Sequence, residues 1–288
     1  EKMADISASQ VKELRKKTGI GLMDCKKALQ ESDGDIELAI VNLRKNSVLK
    51  AEKKSSRSAI EGIILAEIID DLNKVILVEV NCETDFVSKD ENFLKFCNQV
   101  LIASKNSLEG DILEKVNKEM DEARKVLIQK IGENIVIRKV KSIDGGVINF
   151  YIHSNKKIGT IVSLSAGDKE LAKDIAMHVT ASHPLVISSE DLSEDILNKE
   201  KEIINSQVSQ ENKPPEIQEK MIQGRLNKYL AEVSLVKQPF IKDPSKSVEE
   251  LLIESKAEVN SFFRIEVGEG IEVEEVDFAA EVMAQIED

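Results

Sequence analysis

The chain has 288 residues with a formal net charge of −13; 41% of the residues are hydrophobic and only 3% are aromatic. This length fits more than one globular domain, and the scarcity of aromatic residues favours helix-rich structure. The acidic balance argues against a general nucleic-acid-binding protein, which needs lysines and arginines to neutralise phosphates.

Three scattered cysteines form no CxxC pair. This spacing argues against a disulfide framework and against a structural zinc site. No apolar run approaches the roughly 20 residues that span a bilayer, and the first residues lack a signal-peptide pattern. We therefore expect a cytoplasmic protein that does not enter the membrane.

Residues 3–48 have the pattern of a compact three-helix unit. Ser7 and Gln10 form a capping box at the start of the first helix, and Asp35 is placed to cap the third. The glycine turn between the first two helices lacks the preceding strand and the spacing of a phosphate-binding P-loop, so we reject that function. The Lys- and Ser-rich residues 49–57 predict a linker with room for partial helix.

The next segment, residues 58–142, is predicted to form the first part of an α+β core. The apolar periodicity predicts strands at 62–69 and 75–82, a helix that begins at Ser88, a helix at 113–131 and a strand at 135–140. Ser88 and Glu91 have the spacing of another capping box, and Gly132 takes the position of a C-cap glycine.

The same order of hairpin and helix recurs in a second core part, residues 143–186 and 231–265. Its elements are predicted as strands at 147–153, 158–165, 232–236 and 262–267, a helix at 169–182, and a helix capped by Ser247 and Glu250. The fold class is therefore α+β, with antiparallel sheets in a two-part core.

Two further segments complete the predicted organisation. Residues 187–230 predict an inserted antiparallel helical hairpin, whose two helices meet at Pro214 and Pro215 and share a narrow apolar seam. Residues 266–288 predict a C-terminal helical module that ends in a short amphipathic stretch at 276–282. A terminal helix of this kind is suited to docking on a partner.

The most informative short motif is Thr84-Asp85-Phe86-Val87, directly after a predicted strand. Exposed loops at strand ends often carry function because the elements beneath hold them rigid. Here a carboxylate lies next to a large apolar ring. The alternative is that Asp85 caps a turn and Phe86 belongs to the core, where aromatic side chains are commonly buried.

The sequence offers few candidates for a catalytic site. Asp174 and His178 lie four residues apart on one predicted helix and could share a ligand, but zinc normally has three or four protein ligands. His178 also shares a stripe with Leu171 and Ile175, which favours a half-buried structural histidine. No common hydrolase, zinc-protease or P-loop motif occurs. We therefore expect no catalytic residues, no metal and no cofactor.

Several stretches in collinear order resemble one known family, bacterial elongation factor Ts, the nucleotide-exchange factor of the GTPase elongation factor Tu. They are 15–29 (RKKTGIGLMDCKKAL), 80–87 (VNCETDFV), 175–179 (IAMHV), 232–235 (EVSL), 238–240 (QPF), 244–247 (PSKS), 263–271 (FRIEVGEGI) and 277–281 (DFAAE). The resemblance implies that residues 3–48 are a ubiquitin-associated-like domain and that the hairpin is a coiled-coil dimerisation insertion. It also implies a C-terminal module of the kind that longer members carry.

The resemblance also implies a role for individual residues. The loop Thr84–Val87 would dislodge Mg²⁺ from elongation factor Tu, with Phe86 as a wedge and Asp85 acting beside it. His178 would contact the same partner near the wedge. Met23 in the N-terminal domain and Phe278 in the terminal helix would add further contacts.

One position departs from the pattern expected for this family, because Glu83 stands where a neutral Gln is common. The resemblance allows a homodimer, or a complex with two copies of each protein, through the core or the hairpin. It implies no direct contact with nucleic acid. Two other functions stay open at this point: an adaptor that binds without accelerating exchange, and a metal-dependent enzyme around Asp174 and His178.

Overall fold

The structure, a computed structural model, describes residues 6–272. Its helices are α1 (Ala8–Thr18), α2 (Leu22–Glu31), α3 (Ile36–Lys54), α4 (Glu91–Asn106), α5 (Ile112–Ile131), α6 (Lys169–Ser182), α7 (Glu194–Ser209), α8 (Pro215–Val233) and α9 (Val248–Glu254). Its strands are β1 (Glu61–Ile69), β2 (Lys74–Cys82), β3 (Val136–Asp144), β4 (Val147–Ile152), β5 (Ile158–Leu164), β6 (Pro239–Phe240), β7 (Asp243–Ser247) and β8 (Val259–Glu266). The prediction of an α+β fold with antiparallel sheets is confirmed.

Helices α1, α2 and α3 pack around an apolar cluster of their own. Its fully or nearly fully buried members include Leu14, Cys25, Leu29, Ala39 and Leu43. The predicted capping box of Ser7 and Gln10 is present, and the Asp35 carboxylate accepts a hydrogen bond from the Leu38 N–H. Local capping signals therefore predicted the starts of α1 and α3 correctly.

Helix α3 is longer than the sequence pattern predicts. It continues to Lys54, so most of the predicted linker 49–57 is helix. Ala51 is buried in the apolar cluster formed mainly by α4, α5 and the first sheet. Burial of this face stabilises a helix whose Lys- and Ser-rich composition suggested a solvated connector.

The first sheet has the order β1–β2–β3, with both pairs antiparallel. Its central strand β2 is buried on both faces. Ile76, Val78 and Val80 pack against α4 and α5, whereas Val75 and Leu77 face the second sheet. A strand covered on both sides has a nearly continuous apolar sequence, as this one does. The loop that follows β2 therefore starts from the interior of the molecule.

The second sheet has the order β4–β5–β8 and is covered by α6. Its inner face meets the first sheet through Ile148, Ile161 and Ile265. The two sheets approach closely at Gly159 on β5, where an added Cβ would lie 3.0 Å from the Ile64 side chain and 3.2 Å from the Leu77 side chain of the first sheet. The close approach joins the two core parts into one packed unit.

The predicted strand at 232–236 is wrong. Residues 232 and 233 end α8, and Leu235–Lys237 form a 3₁₀ turn. Leu235 is fully buried, and its N–H donates to the Val186 carbonyl at 2.9 Å. The Leu235 N–H therefore bonds to a segment that is distant in sequence and is not part of a regular strand pairing.

Helices α7 and α8 form the predicted hairpin around the turn at Pro214 and Pro215. Ile204 and Val208 are buried, whereas Ile196, Ile203 and Ile217 are between 41% and 50% exposed. The hairpin thus has little apolar interior of its own and leaves part of its stripe uncovered.

Candidate functional site

The loop Thr84–Val87 leaves the end of β2 and presents Phe86 to solvent. The Phe86 side chain is 81% exposed, more than any other large apolar side chain among residues 6–272. The alternative that Phe86 belongs to the core is therefore wrong. An exposed aromatic ring of this size loses contact with water only when a partner covers it, and aromatic rings are common anchors of protein interfaces.

The loop is a compact turn. Phe86 has helical backbone angles, and Val87–Lys89 form one 3₁₀ turn before α4 begins. The Ser88 N–H donates to the Thr84 carbonyl at 3.3 Å, and the Lys89 N–H donates to the Phe86 carbonyl at 3.1 Å. Val87 packs against the cluster beneath α4. These bonds present Phe86 between two anchored neighbours.

The predicted capping box of Ser88 and Glu91 is wrong. The N-cap of α4 is Asp90, whose Oδ1 accepts from the N–H groups of Asn92 and Phe93 at 2.8 and 3.2 Å. Ser88 is buried, and its hydroxyl donates to the Asp85 carbonyl at 2.7 Å. The serine therefore holds the loop together instead of starting the helix.

Asp85 is exposed beside the ring. Its Oδ2 lies 2.9 Å from Lys89 Nζ, and this hydrogen bond is the main cause that lowers the pKa of the carboxyl below its ordinary value. Asp85 is therefore ionised at neutral pH and available to a cationic group or to a metal-bound water.

Two side chains from distant segments hold the loop from below. The Glu133 carboxylate, just after α5, accepts hydrogen bonds from the Thr84 N–H at 3.0 Å and from the Thr84 hydroxyl at 2.7 Å. On the other side, Lys157 Nζ reaches Glu61 Oε2 at 2.6 Å and Ser88 Oγ at 3.5 Å. The sequence analysis missed both, since neither lies near the loop in the chain.

His178 lies elsewhere, on α6, and is fully buried instead of half-buried. Its Nδ1 accepts from the Ile241 N–H at 3.1 Å, so Nε2 carries the proton and donates to Gln238 Oε1 at 2.9 Å. Burial lowers the pKa of the imidazole below its ordinary value, which keeps the ring neutral. In this conformation His178 positions the 238–241 segment and exposes no surface of its own.

The other predicted contact residues lie on separate elements. Met23 is on α2 and is 75% exposed, next to Leu22 at 46%. Phe278 and the predicted helix 276–282 lie outside the described residues. Thr84–Val87 thus form one loop, whereas Met23 and His178 belong to the N-terminal unit and to the second core part.

The residues that could have formed a metal site are engaged otherwise. The Asp174 carboxylate pairs with Lys242 Nζ, and both nitrogens of His178 bind protein groups. Within residues 6–272, no group of three or more His, Cys, Asp or Glu side chains is arranged to hold a metal ion. Over the same range, every helix is too short or too polar to cross a membrane.

Comparison with known proteins identifies the family. The family model described as elongation factor TS matches residues 83–269. Proteins named elongation factor Ts from Marinobacter nauticus, Teredinibacter turnerae and Pasteurella multocida are 50%, 52% and 51% identical over 282, 284 and 285 residues. These alignments cover 98% of this chain and 97% to 99% of each relative. The chain therefore belongs to the elongation factor Ts family, whose members are translation elongation factors that exchange nucleotides and are not catalytic enzymes.

Proposed function

We propose that this protein binds elongation factor Tu in its GDP-bound form and accelerates GDP release by disturbing the Mg²⁺ and phosphate site. The observation that carries the proposal is the Phe86 ring, 81% exposed on a loop anchored at the end of the central strand. In this function the loop Thr84–Val87 inserts into the GTPase, with Phe86 as the wedge and Asp85 beside it.

The chemistry of Mg²⁺ makes a small wedge sufficient. Mg²⁺ requires nearly ideal octahedral geometry and bridges the nucleotide phosphates in GTPases, so a small shift of the residues that hold it weakens nucleotide binding. Exchange factor and nucleotide then oppose each other, and by thermodynamic linkage each weakens the other's binding by the same factor. The reaction needs no nucleophile and no general base in this chain.

The remaining contacts are assigned by the same proposal. Met23 and Leu22 give the N-terminal unit an exposed apolar patch for the GTPase. His178 acts through the 238–241 segment, because its own ring is buried. That Phe278 contacts the GTPase, that the hairpin joins two copies of the chain, and that the protein is cytoplasmic stay predictions.

The decisive experiment is stopped-flow release of a fluorescent GDP analogue from elongation factor Tu, with wild-type protein and with Phe86→Ala. Loss of an aromatic anchor that the GTPase covers in the complex is expected to slow the accelerated release by about thirtyfold, equivalent to about 2 kcal/mol. Leu72→Ala is a matched control, because Leu72 is 51% exposed in the turn before β2, at the opposite end of that strand. This control should release GDP at the wild-type rate.

Removing Mg²⁺ with a chelator tests whether Phe86 acts on the metal site or only contributes to binding of the GTPase. If Phe86 acts on the Mg²⁺ site, the difference between wild type and Phe86→Ala should shrink once the metal is gone. A difference that persists unchanged would place the wedge elsewhere. Tight binding without any acceleration would refute exchange and leave an adaptor.

A further inference from the structure

We propose that Glu133 is a positioning residue for exchange: its carboxylate holds the Phe86 loop in the conformation that enters the GTPase. This inference rests on the proposed function. Glu133 follows the C-cap Gly132 of α5 and belongs to neither β2 nor the loop.

Three donors at the junction between β2 and the loop converge on this one carboxylate. Oε2 accepts from the Glu83 N–H at 3.1 Å and from the Thr84 N–H at 3.0 Å, and Oε1 accepts from the Thr84 hydroxyl at 2.7 Å. Hydrogen bonds to an ionised acceptor are stronger than neutral ones, and these three leave the turn little freedom where it departs from β2. Beyond the end of β2, the Glu133 carboxylate thus accepts the backbone N–H hydrogen bonds that a neighbouring strand would accept within the sheet.

The clamp is reciprocal. Glu83 Oε1 accepts from the Asn134 N–H at 2.6 Å, so each of the two segments gives a carboxylate to the backbone of the other. Asn134 is buried, and its Nδ2 donates to the Arg57 carbonyl at 2.8 Å. Arg57 Nη1 in turn lies 3.7 Å from Glu83 Oε2. Glu83 is thus part of the same clamp as Glu133.

Thr84 transmits this restraint to the ring. Its hydroxyl oxygen also accepts from the Val87 N–H at 3.4 Å, and its carbonyl accepts from the Ser88 N–H at 3.3 Å. Phe86 lies between Thr84 and Val87, so its backbone is fixed from both sides. A loop that is already ordered loses less conformational entropy on binding. A Phe86 ring that is misplaced would disturb the Mg²⁺ site of the GTPase less effectively.

Two substitutions separate the acceptor function from the charge. Glu133→Ala removes all three acceptor contacts and should slow accelerated GDP release by about tenfold. Glu133→Gln should restore most of the rate, because its amide oxygen accepts both N–H groups and its NH₂ donates to the Thr84 hydroxyl. Glu119→Ala is the control: Glu119 is exposed on α5, its side chain forms no hydrogen bond or ion pair with residues 6–272, and it carries the same charge.

Hydrogen exchange gives a readout that does not depend on the GTPase. In Glu133→Ala, the amides of Glu83, Thr84 and Val87 should exchange faster, while amides in the centre of β2 keep their protection. If Glu133→Ala does not fold, as judged by circular dichroism, Thr84→Val replaces it. That variant removes both contacts of the hydroxyl, to Glu133 and to the Val87 N–H, and retains the two N–H contacts to Glu133, so it should give a smaller loss in the same assay.

A double variant tests whether Glu133 acts through the ring. Added to Phe86→Ala, Glu133→Ala should cause little further loss of rate. Full additivity, or wild-type release by Glu133→Ala alone, would overturn the inference while the proposed function stands. If Phe86→Ala itself releases GDP at the wild-type rate, the wedge fails instead, whatever the Glu133 variants do to amide exchange.

Discussion

Glu79 provides a sharp test of the reasoning about the core. Its side chain on β2 is fully buried, and its carboxylate accepts from Arg138 Nη1 at 3.1 Å, Asn81 Nδ2 at 3.0 Å and the Gly268 N–H at 2.9 Å. Arg138 also donates to the Glu269 carbonyl at 2.6 Å. This buried carboxylate therefore connects the first sheet to the chain that follows β8.

We expect Glu79→Ala to lower the free energy of unfolding by about 3 kcal/mol. Removing one partner of a buried ion pair costs about 3–5 kcal/mol because the other charge loses its compensation. A second cation, Lys139 Nζ, lies 3.6 Å from Glu79 Oε2. The side chains of Arg138 and Lys139 are 21% and 30% exposed, so water compensates part of that loss and the low end of the range applies. Glu79→Gln retains an acceptor for the Gly268 N–H and should lose about half as much.

Urea titrations followed by far-ultraviolet circular dichroism measure this loss, and hydrogen exchange at Gly268 reports on the anchored segment. Glu79→Ala should expose the Gly268 amide to exchange before the sheets open. A loss of less than about 1 kcal/mol would refute the reasoning, because it would mean that water compensates both cations fully.

Two further predictions concern buried titratable groups. Burial lowers the pKa of His178, so the stability present above its ordinary value of 6.5 should fall as the pH drops below that value, where the unfolded chain binds the proton more readily. Urea titrations at about pH 7.5 and about pH 5.5 should show a smaller fall for His178→Gln, and an equal fall would contradict this assignment. Burial, together with nearby Glu133, raises the pKa of Cys82 to about 12, and Cys97 is also buried with a raised pKa. Thiol reagents should therefore label native protein slowly and urea-unfolded protein fast; rapid native labelling would be inconsistent with these pKa values.

Several local signals whose partners lie within one turn of the chain predicted the structure correctly. The capping box of Ser247 and Glu250 and the C-cap Gly132 are both present as predicted. The error at Ser88 arose because Asp90, two residues later, is an equally favoured residue type for the N-cap position. Sequence spacing does not show that the Ser88 hydroxyl bonds to the loop while the Asp90 carboxylate caps the helix.

The sequence by itself determined the fold class, the position of the loop at a strand end and, through its ordered motifs, the family. These depend on periodicity and on neighbours three or four residues apart. Only the tertiary structure decided that Phe86 is exposed, that His178 is buried and that Glu133 holds Thr84 from 49 residues away. Such contacts depend on how the sheets and helices pack against one another, and a pattern along the chain carries no record of which distant carboxylate will face which backbone N–H.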